Sequence, residues 1–295
     1  MLTEAGVPSP EVDAGILVGL ALGLSRSRVH LEARREVTGS EEERALELAG
    51  QRSGRIPLQY LVGEVEFYSR RFKVRPGVFI PRPETEALVR VVADEIVIVA
   101  DRIARETPLK VLDLCTGAGV VGVTLASLCD RARVIATDIS FAAVELAREN
   151  AIMNGVASRM DFIVGDGLRF IDAAGDCDRG ADGRGVDDAD LRFDIVTFNP
   201  PYVESGAVDG LEPEVRDHDP LAALDGGPDG LGFIEGILPG AASSLKEGGL
   251  LAFEIGDAQG ERAGELVRAA ALDFKEVAKD LAGRDRIVIG RKPGG

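Results

Sequence analysis

The chain has 295 residues, of which 45% are hydrophobic, so it can bury a sizeable core and is not expected to be disordered overall. Its formal net charge of -16 argues against binding to nucleic acid or to anionic membranes, because both depend on clustered lysine and arginine. Three cysteines without a C-x-x-C pair and only two histidines favour a reducing cytoplasm and predict neither a metal site nor a disulfide framework.

The first 60 residues predict a small helical domain. Ser9 and the proline after it are typical of a helix start, and one apolar stripe follows at Val12, Ile16, Leu17 and Leu20. Ser40 and Glu43 have the spacing of a capping box, which predicts that a later helix begins there. Gly54 is expected to end that helix.

Residues 61–82 predict a β-hairpin linker with its turn at Pro76-Gly77, because aromatic and β-branched residues lie on both sides. Pro83 and the acidic residues after it predict a helix that runs to about Arg105. The richest apolar run, 88–100, is interrupted by charged residues, so no membrane span is expected.

From residue 83 to residue 295 the pattern predicts an α/β domain with a mostly parallel, Rossmann-like sheet, because strand and helix patterns alternate. The predicted strands are 109–114, 133–137, 161–164, 193–198 and 250–255. Two last strands, 274–278 and 286–289, are separated by a short loop and predict an antiparallel pair. Residues 172–190 are rich in Gly, Asp and Ala and predict a mobile surface loop.

The end of the first predicted strand has features of a nucleoside-cofactor site. A Gly-rich turn lies where parallel sheets bind ligands, and it contains Cys115, Thr116, Gly117, Ala118 and Gly119. Asp138 ends the next strand, where a carboxylate can accept ribose hydroxyls. We expect Asp113 to orient the turn or to meet a ligand ammonium group, and Asp166 and Gly167 to border an adenine.

These residues leave other interpretations open. The turn can be a plain strand-to-helix connection, and Asp138 can simply cap the following helix together with Ser140. An acidic residue at that position would also serve NAD.

The sequence Asn199-Pro200-Pro201-Tyr202 follows the predicted strand 193–198 and suggests a pocket for a planar amino group. The side-chain oxygen of Asn199 and the carbonyl of Pro200 can accept the two protons of an NH2 group. Tyr202 can stack on the planar group and exclude water. Together with the cofactor turn, the segment predicts methyl transfer from S-adenosylmethionine (SAM) to an amide or amino nitrogen.

The chain resembles the HemK-type family, the protein-(glutamine-N5) methyltransferases of peptide-chain release factors. The resemblance extends over nearly the whole chain and includes, besides 199–202, the blocks 57–63, 80–86, 212–215, 223–227, 229–231, 254–256, 259–260 and 279–286. One departure is Cys115, which stands where the family usually has glycine.

The resemblance implies a Rossmann-like SAM-dependent methyltransferase sheet, an N-terminal helical bundle that docks the protein substrate, and a hairpin linker. The implied substrate is the glutamine of a Gly-Gly-Gln loop in release factors. The implied catalytic residues are Asn199, Pro200 and Tyr202. Substrate contacts are implied for these three and Pro201, and cofactor contacts for the turn 115–119, Asp138, Gly167 and Asn199.

Three alternatives remain at this stage. One is an amino-group methyltransferase of adenine or guanine in nucleic acid, which the acidic charge disfavours. Another is a SAM-binding partner of a translation factor without catalytic activity. A dehydrogenase is the least favoured alternative, because the tetrapeptide 199–202 argues against it.

Overall fold

The structure, a computed structural model, describes residues 1–32, 34–102, 106–166 and 192–294. Gly167 and the predicted loop at 172–190 lie outside these described residues. The N-terminal part contains the helices α1 (Pro10–Leu22), α2 (Arg26–Leu31), α3 (Gly39–Ser53) and α4 (Leu58–Val62). They enclose a small apolar core of their own, which is formed by Leu2, Val7, Leu17 and Leu48.

One local prediction about these helices is wrong. Helix α3 begins with a capping box at Thr38 and Glu41, two residues before the predicted pair. In helix α1 the apolar stripe is only partly buried: Leu17 is in the core, whereas Val12 and Leu20 are each 38% exposed. The helix packs against α2, α3 and α4.

The hairpin linker exists, but its turn is not at Pro76-Gly77. Strands β1 (Glu64–Phe67) and β2 (Arg70–Lys73) pair antiparallel, and the two residues between them, Tyr68 and Ser69, have φ values of 49° and 58°. Positive φ at both central positions is the geometry of a tight two-residue turn, which matches the twist of the strands. Phe67 and Phe72 face the main core, so the hairpin packs against the larger domain.

The predicted α/β fold is confirmed. In the described part of the chain, seven strands form one sheet in the order β5-β4-β3-β6-β7-β9-β8. They are β3 (Leu109–Leu114), β4 (Ala132–Asp138), β5 (Met160–Val164), β6 (Phe193–Phe198), β7 (Leu245–Glu254), β8 (Asp273–Lys279) and β9 (Asp285–Arg291). Strands β3 to β7 run parallel to one another, and β9 is antiparallel to both β7 and β8, as predicted.

Helices cover the two faces of this sheet, and each face has its own apolar core. After a short 3-10 turn at Pro83–Thr85, the helices are α5 (Glu86–Arg102), α6 (Val120–Leu128), α7 (Phe141–Met153), α8 (Pro213–Arg216), α9 (Gly232–Ser244) and α10 (Gly260–Ala269). Within the described ranges, no helix has the length and apolar character that crossing a lipid bilayer requires.

The strand order reverses between β3 and β6, since the chain moves outward from β3 to β5 on one side and from β6 to β7 on the other. Loops leave the carboxyl ends of these two central strands in opposite directions and open a crevice, where ligands bind in open parallel sheets. The Gly-rich turn follows β3 and the tetrapeptide 199–202 follows β6, so the fold brings the two predicted site segments together.

Candidate active site

A cavity of about 520 Å³ opens at the carboxyl ends of β3 and β6. One end of it, which we call the cofactor half, is formed by the turn after β3 and the ends of β4 and β5. The other end, the acceptor half, is formed by residues 199–203 and the loop before α9. Most of the predicted site residues line the cavity: Asp113, Cys115, Thr116, Gly117, Ala118, Asp138, Asp166, Asn199, Pro200, Pro201 and Tyr202.

Asp113 fixes the shape of the Gly-rich turn. It is buried at the end of β3, and its Oδ2 atom accepts hydrogen bonds from the Thr116 hydroxyl (2.6 Å) and from the Gly122 amide (3.0 Å). Burial raises the pKa of Asp113 to about 7, although these two hydrogen bonds act in the opposite direction. Asp113 therefore joins the turn to the first turn of helix α6.

Asp138 lies beside the turn, at the end of β4, and holds it by a hydrogen bond. Its Oδ2 atom accepts a hydrogen bond from the Gly117 amide and its Oδ1 atom accepts one from the Ser140 amide, both at 2.9 Å. Burial raises the pKa of Asp138 above its usual value, and the backbone hydrogen bonds oppose this shift. Each carboxylate oxygen has a second lone pair, so Asp138 can still accept ligand hydroxyls.

The turn itself is built for close approach. Gly117 has a φ of 54°, and a side chain added there would project into open space, so its backbone is bare towards the cavity. Gly119 does not line the cavity: its Cα packs behind the turn, where a Cβ would come within 2.9 Å of Ala147 Cβ. Cys115 adopts a φ of 52°, a left-handed conformation that favours glycine, and burial raises the pKa of its thiol.

The acceptor half is organised around Asn199 and Tyr202. The Nδ2 atom of Asn199 donates a hydrogen bond to Thr85 Oγ1 at 3.0 Å. The hydroxyl of Tyr202 donates to Glu254 Oε1, also at 3.0 Å. Burial, and then the neighbouring Glu254 carboxylate, raise the pKa of Tyr202, so its hydroxyl stays protonated. The two polar ends of the tetrapeptide are thus held by residues from other elements.

The loop before α9 is clamped onto the backbone that follows the tetrapeptide. Val203 donates from its amide to Leu224, and its carbonyl accepts from Gly226. The Gln259 side chain donates to the Tyr202 carbonyl at 3.0 Å. Gly230 packs so closely there that a Cβ would lie 2.3 Å from the same carbonyl oxygen. The path of the acceptor segment is therefore fixed on both sides.

The N-terminal helices contact the rim of the acceptor half through ion pairs. Arg52 on α3 is buried between Asp13 (2.8 Å) and Glu214 (2.6 Å), and Arg55 pairs with Glu212 (2.8 Å) and with Glu214. Burial alone would raise the pKa of Glu214, but the hydrogen bonds from Arg55 and Arg52 lower it to about 2. Glu214 is therefore charged at every physiological pH and ties α8 to the helical domain.

The sequence motifs gave no role to three residues of the acceptor half: Thr85, Glu254 and Gln259. Each of the three lies in a block that carries the family resemblance. The resemblance therefore marks these positions without indicating what the residues do. The signal that could have pointed to Glu254 is a carboxylate at the buried end of an apolar strand, because a buried carboxylate needs polar partners. Among the described residues, no group of three or more His, Cys, Asp or Glu side chains is placed to hold a metal ion.

Comparison with known proteins identifies the chain at two levels. The PrmC N-terminal domain family matches residues 1–63, and the methyltransferase small domain family matches residues 93–176. With the crevice at the centre of the parallel sheet, these matches define a SAM-dependent methyltransferase.

Full-length relatives give the particular family. A release factor glutamine methyltransferase of Moorella thermoacetica is 40% identical over 98% of this chain and 93% of that protein. Its counterparts are 36% identical in Deinococcus radiodurans, over 100% and 95%, and 38% identical in Mycolicibacterium smegmatis, over 99% and 94%. The chain belongs to the release factor glutamine methyltransferase family.

Proposed function

We propose that this enzyme transfers a methyl group from SAM to the side-chain amide nitrogen of the glutamine in the Gly-Gly-Gln loop of peptide-chain release factors. The observation that carries the proposal is the hydrogen bond from Asn199 Nδ2 to Thr85. It uses one N–H of the Asn199 amide and fixes which end of the amide faces Thr85, so we expect Oδ1 to face the ligand. A site with an acceptor in this place suits a carboxamide NH2 group.

The acceptor half would align the glutamine nitrogen rather than deprotonate it in advance. Asn199 Oδ1 and the Pro200 carbonyl accept its two N–H groups, and Pro200 itself has no backbone N–H that would compete. An amide nitrogen is a poor nucleophile because its lone pair is delocalised. Alignment and exclusion of water are therefore the main contributions of the chain, and the ring of Tyr202 covers the planar group.

The cofactor half fits SAM. When bound, SAM supplies a methyl group that is activated by a positively charged sulfur. The bare backbone at Gly117 admits a ligand close to the turn, and Asp138 would accept the ribose hydroxyls. Asp113 places a carboxyl group at the same end of the cavity, where the cofactor's ammonium group needs a partner. We propose Cys115, Thr116, Ala118, Asp166, Gly167 and Asn199 as further contacts. Gly119, predicted as a contact from the sequence, packs behind the turn against Ala147 and shapes the turn instead.

We also propose a division of the chain into a helical substrate-docking domain (1–60), a hairpin linker (61–82) and a methyltransferase domain (83–295). The separate apolar core of the helices supports the first boundary. The ion pairs of Arg52 and Arg55 with the rim of the acceptor half support a docking role, because they place the helices beside the cavity entrance. A cytoplasmic location follows from a substrate that works in translation.

Mass spectrometry tests the proposal. Purified enzyme is incubated with SAM and a release factor, and the peptide with the Gly-Gly-Gln sequence is expected to gain one methyl group on glutamine. A release factor with Gly-Gly-Asn is the control and should stay unmodified. Duplex DNA and ribosomal RNA are assayed in parallel; methylation of either with an unmodified release factor would contradict the proposal. Binding of release factor and SAM without any transfer would identify a non-catalytic partner.

A further inference from the structure

Glu254 is a buried carboxyl group directly beneath the acceptor segment. It is the last residue of β7, and β7 pairs with β6 so that Phe253 lies opposite Phe198, with their rings stacked at 4.9 Å. Asn199 and Glu254 therefore leave neighbouring strands at the same level. Glu254 is 0% exposed and does not line the cavity, so it cannot contact a substrate.

Two hydroxyl groups connect Glu254 to the tetrapeptide. Tyr202 donates to its Oε1 atom at 3.0 Å. Thr85, which is 2% exposed, lies beside the carboxylate and lowers its pKa, although the two groups do not form a hydrogen bond of good geometry. The Oε2 atom is buried and has no partner of good geometry among the described residues. Thr85 in turn accepts the hydrogen bond from Asn199 Nδ2.

We infer that Glu254 is a positioning residue that sets the orientation of the Asn199 amide through Thr85 and holds the Tyr202 ring through its hydroxyl. This inference deepens the proposed function, on which it rests. It explains why the blocks 80–86 and 254–256 accompany the tetrapeptide: each supplies one polar side chain that lies beneath it.

The direction of the hydrogen bonds gives the mechanism. A charged carboxylate only accepts, so it draws the hydroxyl hydrogen of Thr85 towards itself. Thr85 Oγ1 then offers a lone pair to Asn199, which must present Nδ2 to it and Oδ1 to the cavity. Without the carboxylate, Thr85 can donate to Oδ1 instead. The Asn199 amide could then flip, so that its NH2 group instead of Oδ1 faces the N–H groups of the substrate.

The charge state of Glu254 makes this arrangement sensitive to pH. The groups that face it are the hydroxyls of Tyr202 and Thr85, the Arg286 guanidinium and the Glu84 carboxylate. Burial raises the pKa of Glu254 to about 7, while Thr85, Tyr202 and Arg286 lower it. A protonated Glu254 can donate to Thr85 and compete with the required direction, so the ordered amide belongs to the charged form.

Asparagine labelling provides a direct test, because the chain contains only three asparagines, Asn150, Asn154 and Asn199. With ¹⁵N-asparagine, the protein gives three side-chain amide pairs in an NMR spectrum, and N199D identifies the pair of Asn199. The other two donate to backbone carbonyls elsewhere and serve as internal references. The readout needs neither cofactor nor substrate.

In the wild type, the Asn199 amide shift should titrate with a midpoint near pH 7 and the reference pairs should not follow. E254Q should abolish that midpoint and speed the exchange of the Asn199 side-chain protons with water at least ~10-fold, a loss of ordering of about 1.4 kcal/mol. E95Q removes another buried carboxyl, which pairs with Arg291 on β9, opposite Leu250 of β7, and should leave the Asn199 pair unchanged. An Asn199 pair that is identical in wild type and E254Q would overturn the inference.

Turnover on a release factor gives the second readout. E254Q and T85V should each lower kcat at least ~10-fold while KM for the release factor and Kd for SAM stay within about twofold. T85S retains the hydroxyl and should restore kcat to within about threefold. The double variant should be no worse than either single one, because both break one chain of hydrogen bonds.

The outcomes separate the two levels of the argument. Full kcat in T85V would overturn the inference while methylation by the wild type still supports the function. A wild type that methylates no release factor would reject the function, and the amide spectrum would still decide the role of Glu254. If E254Q does not fold, T85V tests the same inference, because it keeps the Glu254 carboxyl group and removes only the Thr85 hydroxyl.

Discussion

The two halves of the cavity are built in different ways. In the cofactor half, the contacts that shape the turn join residues close in sequence, such as Asp113 with Thr116 and Gly122. In the acceptor half, Asn199 is held by Thr85, which is 114 positions away, and Tyr202 is held by Glu254, which is 52 positions away. The first half is a local motif, and the second is assembled by the fold.

This difference suggests how each half should respond to change. A local turn keeps its shape as long as its own strand and helix are intact, so distant substitutions should leave cofactor affinity alone. The acceptor half depends on the 3-10 turn at Pro83–Thr85, the end of β7, the loop before α9 and the helical domain. Substitutions in any of these elements should lower the rate of methyl transfer without changing the affinity for SAM.

The largest expected effect tests this dependence from outside the cavity. R52A leaves Asp13 and Glu214 without their shared partner, and an uncompensated buried charge costs about 3–5 kcal/mol. We expect the free energy of unfolding in urea to fall by about that amount and turnover on release factor to fall with it. At temperatures where the protein stays folded, Kd for SAM should remain within about twofold.

R44A is the matched control for R52A. Arg44 lies on the same helix, but its side chain is 55% exposed and pairs only with Glu47, so its loss should cost less than ~1 kcal/mol. Equal destabilisation by R44A and R52A would show that the buried ion pairs do not hold the rim.

N199A acts inside the acceptor half. Removing one aligned polar group from an active site typically lowers the rate ~100-fold or more, so we expect at least that loss in methyl transfer to release factor. SAM affinity, measured by calorimetry, should change little, since Asn199 is only one of several proposed SAM contacts and the cofactor half keeps its own hydrogen bonds. Undiminished turnover would show that another group receives the glutamine amide.

The same contrast explains what could be predicted from the sequence. The turn after β3 and the acid at the end of β4 were predicted as a unit, because strand, glycine turn and carboxylate follow each other in the chain. Thr85 and Glu254 were not assigned a role, because strand pairing and the 3-10 turn at 83–85 place them beneath Asn199 and no local spacing reveals this.

Two local errors have equally physical causes. Thr38 with Glu41 and Ser40 with Glu43 both fit the capping-box spacing, and the helix uses the first pair. The hairpin turn uses Tyr68 and Ser69 at positive φ, which propensity assigns to Asn or Gly. The Tyr68 amide also donates to Glu86 at 2.7 Å, a contact that fixes this turn and is not visible in the sequence.

D138A is the corresponding test of the cofactor half. We expect SAM binding to weaken by roughly 1–3 kcal/mol, because ligand hydroxyls would lose a buried acceptor. The turn also loses its hydrogen bond to Gly117, so the melting temperature should be measured beside the affinity. D130A, at an exposed site before β4, is the control and should bind SAM normally. Equal affinity in D138A and the wild type would reject the proposed ribose contact.

The smallest effect compares the halves in one titration. Each half contains one buried carboxyl whose pKa burial raises to about 7: Asp113 in the cofactor half and Glu254 in the acceptor half. Their usual values are 3.8 and 4.5, so between those values and about 7 the folded protein binds more protons than the unfolded chain. The free energy of unfolding should therefore fall as pH rises through this window. Glu214, with a pKa of about 2, stays charged throughout and adds no slope there.

Urea unfolding at several pH values from about 5 to about 8 measures this slope. A shift of one pKa unit corresponds to 1.36 kcal/mol, so we expect a fall of at least ~1 kcal/mol from each carboxyl. D113N should remove the part of this fall that Asp113 causes, and E254Q should remove the part that Glu254 causes. The two effects should add, because each group has its own hydrogen-bond partners. If either variant removed the whole slope, the two halves would be electrostatically coupled, and the contrast between a local and an assembled half would not extend to their charges.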